Sequence, residues 1–325
     1  MKDKEVLLKI HHLKTYFPVK RKSMKEEKKV VKAVDDISID IYRGETLGIV
    51  GESGSGKSTF GRTILKLIEP TAGEILYKGQ AIHQLKGRYL QNFRNDMQMI
   101  FQDPFASLNP RKRIGSIIEE PMALQLTLSK EQRKKRVIEL LQKVGLPEDA
   151  IHKFPHEFSG GQRQRIGIAR ALAIHPEFII ADEPVSALDV SIQSQVLNLM
   201  MDLQDEFHLT YLFISHDLSV VKHISDRVAV LYLGRIVEIG TKTELYTNPL
   251  HPYTQALLSA IPVVNFDTPK QVVPLQGELP SPMNPPLGCV FHTRCPFVME
   301  KCRGERPALQ QQNAEQQVAC FLYEK

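Results

Sequence analysis

Gly51-Glu52-Ser53-Gly54-Ser55-Gly56-Lys57-Ser58-Thr59 is the stretch whose reading decides the fold. It fits the pattern G-x-x-x-x-G-K-[ST]. The short apolar run Thr46 to Val50 precedes it as a buried strand, and Lys57 to Ile68 follows with helical spacing. Glycines let the backbone curl so that successive N–H groups face one anion, and a helix N-terminus adds partial positive charge. In that context Lys57 reaches the β- and γ-phosphates of a nucleotide and the Ser58 hydroxyl holds Mg²⁺. The bland alternative is a Gly/Ser turn ahead of a helix. The complete motif in its required context weighs against it.

Downstream, Phe178-Ile179-Ile180-Ala181-Asp182-Glu183-Pro184 reads as an apolar strand ending in two carboxylates. Asp182 is placed to bind Mg²⁺, directly or through water, and Glu183 to orient and deprotonate a water for in-line attack on the γ-phosphate. Alone, the pair could merely cap the connection to the next helix. Phe158-Ser159-Gly160-Gly161-Gln162 is a second Ser/Gly turn, feeding a helix from Arg163 to Ile174. That makes a second anion site. One nucleotide needs one such cradle in cis, so the second points to the nucleotide of another subunit. Ser129-Lys130-Glu131-Gln132 has the form of a capping box, with Val137, Leu140, Leu141 and Val144 on one helix face. Tyr211 to Ser215 and Arg227 to Leu233 are further short buried strands. Buried strands alternating with helices predict an α/β domain with a largely parallel sheet.

The chain has 325 residues, 42% apolar and 24% charged, which fits about two globular domains and excludes wholesale disorder. No apolar run is long enough to span a bilayer, and the start lacks the apolar stretch of a secretory signal. The net charge is +5, and residues 20–32 alone hold seven basic and two acidic side chains. The charge is one local run, read as a solvated loop, with acidic lipid or a partner as the other reading. A nucleic-acid binder would spread its basic charge, so no nucleic-acid partner is expected. Eleven of the twenty prolines lie from Pro249 onward and all four cysteines from Cys289 onward. A boundary near 249–263 therefore separates a regular domain from a loop-rich tail.

Phe158-Ser159-Gly160-Gly161-Gln162 resembles the signature of the ATP-binding cassette (ABC) family, with Phe158 where the family has Leu. Gln102, in Ile100-Phe101-Gln102-Asp103-Pro104, resembles the family's Q-loop glutamine, which senses Mg²⁺ and water and contacts the membrane partner. Ser186-Ala187-Leu188-Asp189 resembles the D-loop at the dimer interface. His216, in Ile214-Ser215-His216-Asp217, resembles the switch histidine that bonds the γ-phosphate. Phe17 fits the aromatic that stacks on adenine, with Tyr16 as its rival. The resemblance implies a P-loop ATPase cassette: a RecA-like core, an antiparallel β subdomain and a helical subdomain inserted over about 103–177, together covering 1–250.

A narrower resemblance is to the F-type ATPase of oligopeptide/dipeptide importers. It rests on Phe101 to Arg111, on Asp182 to Ser191, and on His251-Pro252-Tyr253-Thr254-Gln255-Ala256-Leu257-Leu258 with Gly277 to Pro282. It implies a C-terminal extension over 251–325 and ATP hydrolysis that powers peptide import. It also implies a D-type ATPase as heterodimer partner, two transmembrane permeases, an extracellular substrate-binding protein and a place on the cytoplasmic face of the membrane. Nickel or another small cargo, and a regulatory ATP-binding role without transport, are the alternatives. Cys289, Cys295, Cys302 and Cys320 lie in a Pro-rich segment without a large core, which reads as a staple by a metal or cluster. Zinc and free thiols are open readings. The family resemblance implies a [4Fe–4S] cluster there.

Overall fold

The strands follow in chain order as β1 (Val6–Pro18), β2 (Val30–Tyr42), β3 (Thr46–Val50), β4 (Ala72–Tyr77), β5 (Gln80–Ala81) and β6 (Met97–Ile100). They continue as β7 (Phe178–Asp182), β8 (Thr210–Ile214), β9 (Arg227–Tyr232), β10 (Arg235–Thr241), β11 (Gln310–Asn313) and β12 (Gln316–Val318). The computed structural model describes residues 5–19, 29–261, 275 and 277–324. Residues 20–28 of the basic run lie outside them. The chain forms two compact units. The first comprises Met1–Ile41, Thr46–His83 and Ser215–Lys325, and the second Tyr42–Glu45 and Gln84–Ile214.

In the first unit, β2-β1-β4-β5 form one sheet, with β1 antiparallel to β4 and Ile10 opposite Ile75. β1 alternates buried and exposed positions, as expected of a strand covered on one face. A second series runs β11-β12-β10-β9-β3. β3 pairs with β9 in parallel, while β9-β10, β10-β12 and β11-β12 are antiparallel. All five residues of β3 are buried, so its unbroken apolar run suits a strand covered on both faces. The helix Lys57–Ile64 follows the loop after β3 and is four residues shorter than its apolar spacing predicts. Lys66 is left-handed at φ 53°, and the N–H groups of Leu67 and Ile68 turn back to the Arg62 carbonyl.

Residues 275 and 277–324 belong to this unit. β12 pairs with β10, placing Val318 opposite Glu238. The Glu238 carboxylate is fully buried and accepts from the N–H groups of Leu250 and His251 and from Gln316 Nε2, at 2.8–2.9 Å. Burial raises its pKa despite those donors. One acidic side chain thus ties β10, the start of the helix Pro252–Ser259 and β12 together.

The second unit carries β8-β7-β6, parallel throughout, with Ile180 opposite Leu212 and Met99. The long helices Ile114–Gln125, Lys130–Lys143, Gly160–Leu172 and Val190–Phe207 also lie here. Ser129 caps the second of these. Its hydroxyl accepts from the Gln132 N–H, and Gln132 Oε1 accepts from the Ser129 N–H, the reciprocal pair that the sequence predicts. The largely parallel sheet expected from sequence holds for β6-β7-β8 and β3-β9. The segment from β9 to β12 is antiparallel, because its links are a tight turn and a late return of the chain.

Candidate functional site

The loop Gly51–Thr59 curls between β3 and the helix Lys57–Ile64, in the first unit. Gly56 caps that helix at φ 101°, and a Cβ there would sit 1.9 Å from the Ala33 carbonyl oxygen. Only glycine allows this approach. Lys57 is buried, and its ammonium donates to the carbonyls of Gly51 (2.7 Å) and Glu52 (3.0 Å), so it arches over its own loop. The Ser55 hydroxyl is buried with no hydrogen-bond partner among the described residues. An anion's oxygen would satisfy it. The Ser55 carbonyl accepts from Gly234 N–H at 2.8 Å, and the Gly234 carbonyl from Asp35 N–H, which fixes the loop from behind.

His216 also belongs to the first unit. Ser215 N–H donates to the Ile49 carbonyl in β3, and Asp217 caps the helix Leu218–Ile224. His216 therefore stands exposed on the turn beside the strand that enters the phosphate loop. Phe17 is 37% exposed near the end of β1, whereas the hydroxyl of its rival Tyr16 is held by Asp35.

In the second unit, Asp182 ends β7, buried, and Glu183 follows at φ 48°. The left-handed turn redirects the chain, with Glu183 N–H donating to the Ile214 carbonyl. Gln102 follows β6, and its Nε2 donates to Glu183 Oε2 at 3.0 Å. Two residues 81 apart in sequence are thus in contact. Asp103, next to Gln102, caps the helix Pro104–Ser107 and fixes the turn.

Ser159 and Gln162 cap the helix Gly160–Leu172 reciprocally, at 2.9 and 3.3 Å. Phe158 is buried, so the departure from Leu fills an apolar position. Gly161 packs against the next segment so closely that a Cβ would meet Ile192 Cγ2 at 2.4 Å. Ser186 bonds back to the Glu183 carbonyl, and Gln193 Nε2 holds the carbonyls of Val185 and Leu188. Asp189 is exposed, and its side chain makes no cap bond to the helix it precedes.

The donors expected for Mg²⁺, the Ser58 hydroxyl, the Gln102 amide and the Asp182 carboxylate, are hard oxygen groups that suit this ion. The cysteines are less well matched to a metal. All four thiols are free. Cys289 N–H donates to the Cys302 carbonyl at 2.9 Å. Burial pushes the Cys289 and Cys320 thiols up to about 11 and raises Cys295, and neighbouring thiols add to each shift. Yet among the described residues no group of three or more His, Cys, Asp or Glu is arranged to hold a metal ion. This geometry gives the expected cluster on Cys289, Cys295, Cys302 and Cys320 no support.

Sequence reasoning missed two residues at the phosphate loop. Tyr253 accepts from Glu52 N–H, and Arg294 pairs with the Glu52 carboxylate. Both come from the C-terminal region, and no local pattern marks either as a neighbour of the loop.

Two family models match the chain: ABC transporter over residues 34–186, and the oligopeptide/dipeptide transporter C-terminal region over residues 237–302. The oligopeptide transport ATP-binding protein AppF of Bacillus subtilis is 56% identical over 324 residues, covering 99% of this chain and 98% of its own. The dipeptide transport ATP-binding protein DppF of Escherichia coli is 52% identical, covering 98% and 95%. A solved dimeric ATP-binding cassette in a post-hydrolysis state, bound to ADP and phosphate, is 31% identical with a TM-score of 0.63. It covers 72% of this chain and 98% of its own.

Proposed function

The chain belongs to the ATP-binding proteins of ABC oligopeptide/dipeptide transporters, and from this we propose that it hydrolyses ATP to power import of short peptides through a permease complex. The observation that carries the hydrolytic part is Gln102 bonded to Glu183 at 3.0 Å, on the left-handed turn after β7. A neutral amide fixes the direction of the carboxylate without neutralising it, as a group that orients and deprotonates water requires.

The other roles follow in the same reading. The loop Gly51–Thr59 binds the phosphates through its N–H groups, with Lys57 on the β- and γ-phosphates. Ser58, Gln102 and Asp182 hold Mg²⁺, which neutralises charge on the phosphate oxygens. His216 bonds the γ-phosphate, and Phe17 stacks on adenine. Ser159, Gly160, Gly161 and Gln162 serve the nucleotide of a partner ATPase, a D-type subunit, and Asp189 lies at that interface. Closure then depends on the γ-phosphate, and its loss reopens the dimer.

The pair works with two permeases and a substrate-binding protein on the cytoplasmic face of a membrane. Among the described residues no helix is long and apolar enough to cross one. We keep 1–250 as the nucleotide-binding part, with a helical subdomain over about 103–177, and 251–325 as the extension. An iron–sulfur cluster on the four thiols is proposed on donor chemistry alone. Iron and sulfide in anaerobically purified protein test it, and stoichiometric zinc without iron overturns it.

The deciding experiment is uptake of a labelled short peptide by cells whose only copy carries Glu183→Gln. Lost peptide uptake with intact amino-acid uptake supports the reading. Normal peptide uptake overturns peptide as the cargo, and nickel is measured next.

A further inference from the structure

Glu52 is the one acidic side chain in the loop Gly51–Thr59. A carboxylate in a loop that receives a polyphosphate opposes its ligand, unless something neutralises it. Here Arg294 Nη1 donates to Glu52 Oε1 at 2.9 Å and to Oε2 at 3.2 Å. The Arg294 side chain is 6% exposed and that of Glu52 26%, so the pair is screened far less than a surface ion pair. Arg294 stands one residue before Cys295, in the cysteine-bearing part of the extension.

Three further contacts aim this region at the loop. Tyr253 takes the Glu52 N–H at 3.0 Å. Tyr232, Tyr253 and Phe291 pack with ring centroids 4.7–5.4 Å apart, and the Arg294 guanidinium lies 5.9 Å from the Tyr232 ring centroid. Leu279 Cδ2 lies 3.9 Å from where a Cβ on Gly54 would sit. Glu52 is also the residue whose carbonyl holds the Lys57 ammonium. Its orientation and that of Lys57 are therefore linked through one peptide unit.

We propose that Arg294 is a positioning residue of the phosphate loop: it neutralises the Glu52 carboxylate and fixes its direction, so that the C-terminal extension completes the ATP site. This rests on the reading of Gly51–Thr59 as the phosphate loop. The effect belongs to ATP binding and not to the hydrolytic step, because no atom of the pair lies among the groups assigned to the attacking water.

The test uses the full-length chain, with ATP affinity measured by equilibrium titration and turnover measured with its partner subunits. Arg294→Ala is expected to raise Kd and KM for ATP about tenfold while kcat stays within about twofold. Adding Glu52→Gln to Arg294→Ala is expected to restore most of the affinity, since the repelling charge is gone. Glu52→Gln alone, which leaves Arg294 facing the loop, is expected to bind ATP a few-fold (~3) more tightly, and that gain shrinks in high salt. A contact that only braces the loop predicts the opposite: Glu52→Gln would weaken binding, and the double variant would be no better than Arg294→Ala. Either result overturns the proposal, as does unchanged affinity in Arg294→Ala. If Arg294→Ala does not fold, Glu52→Gln alone decides by the sign of its effect. A wild-type chain that binds no ATP overturns the phosphate-loop reading itself, which separates the two failures.

Discussion

At Glu183 a side chain with a Cβ occupies left-handed backbone, φ 48°, at a cost of about 1–2 kcal/mol. The bond from its N–H to the Ile214 carbonyl and the bond from Gln102 to its carboxylate hold it there. Such strain persists only where neighbouring contacts over-determine it. Glu183→Gln is expected to keep ATP binding and lose turnover by about 10²–10⁴-fold, as removal of a general base does. Phosphate release and nucleotide titration on the same preparation check it, and undiminished turnover would remove Glu183 as the base.

His251 makes a second residue-scale prediction. It is fully buried, and burial depresses its pKa to about 3 from an ordinary 6.5. The unfolded chain therefore binds a proton that the folded chain refuses. Stability from this group is complete above pH 6.5 and falls as the pH drops toward 3, by up to about 3–5 kcal/mol. Urea unfolding from pH 7 to 4 should show a steeper acid loss in the wild type than in His251→Gln. Equal slopes would clear His251.

At the scale of elements, the helix Lys130–Lys143 depends on a cap visible in the sequence. Ser129→Ala removes one half of the reciprocal box and is expected to cost about 1 kcal/mol. Denaturant unfolding measures it, with the midpoint moving and the slope unchanged. Helix and strand identity were legible wherever the local pattern had one meaning. β3, β7 and β8 are short apolar runs buried on every residue, and the expected strands fall within a residue of them. The helix after the phosphate loop ends early because Lys66 adopts a left-handed turn that apolar spacing does not encode. β11 and β12 carry Gln310, Gln311, Gln316 and Gln317, a composition that reads as low complexity. They are strands because β10 offers β12 a ladder and β12 in turn offers one to β11, so ladder pairing and not an apolar pattern of their own decides them.

At the scale of the whole chain, the contacts hardest to read are those of greatest sequence separation. Gln102 and Glu183 were each legible through a motif, and their hydrogen bond brings together two positions already singled out. Arg294 and Glu52 are 242 residues apart, and an arginine among cysteines carries no mark of its partner. Gln316 likewise reaches Glu238 across 78 residues. Gln316→Ala would leave a buried carboxylate short of one donor, an expected loss of about 1–3 kcal/mol. Thermal unfolding reads this loss, and an unshifted midpoint would show that the other two donors suffice.

The pairing of β12 with β10 also has a consequence in time. A ribosome delivers β10 long before β12, and until then β10 offers the bare edge of a strand carrying Ile236, Val237 and Ile239. Synthesis at about 5–20 residues per second leaves that edge open for several seconds. The nascent chain is therefore most exposed to aggregation in its final quarter, and a stop codon just before Gln310 would make that interval permanent.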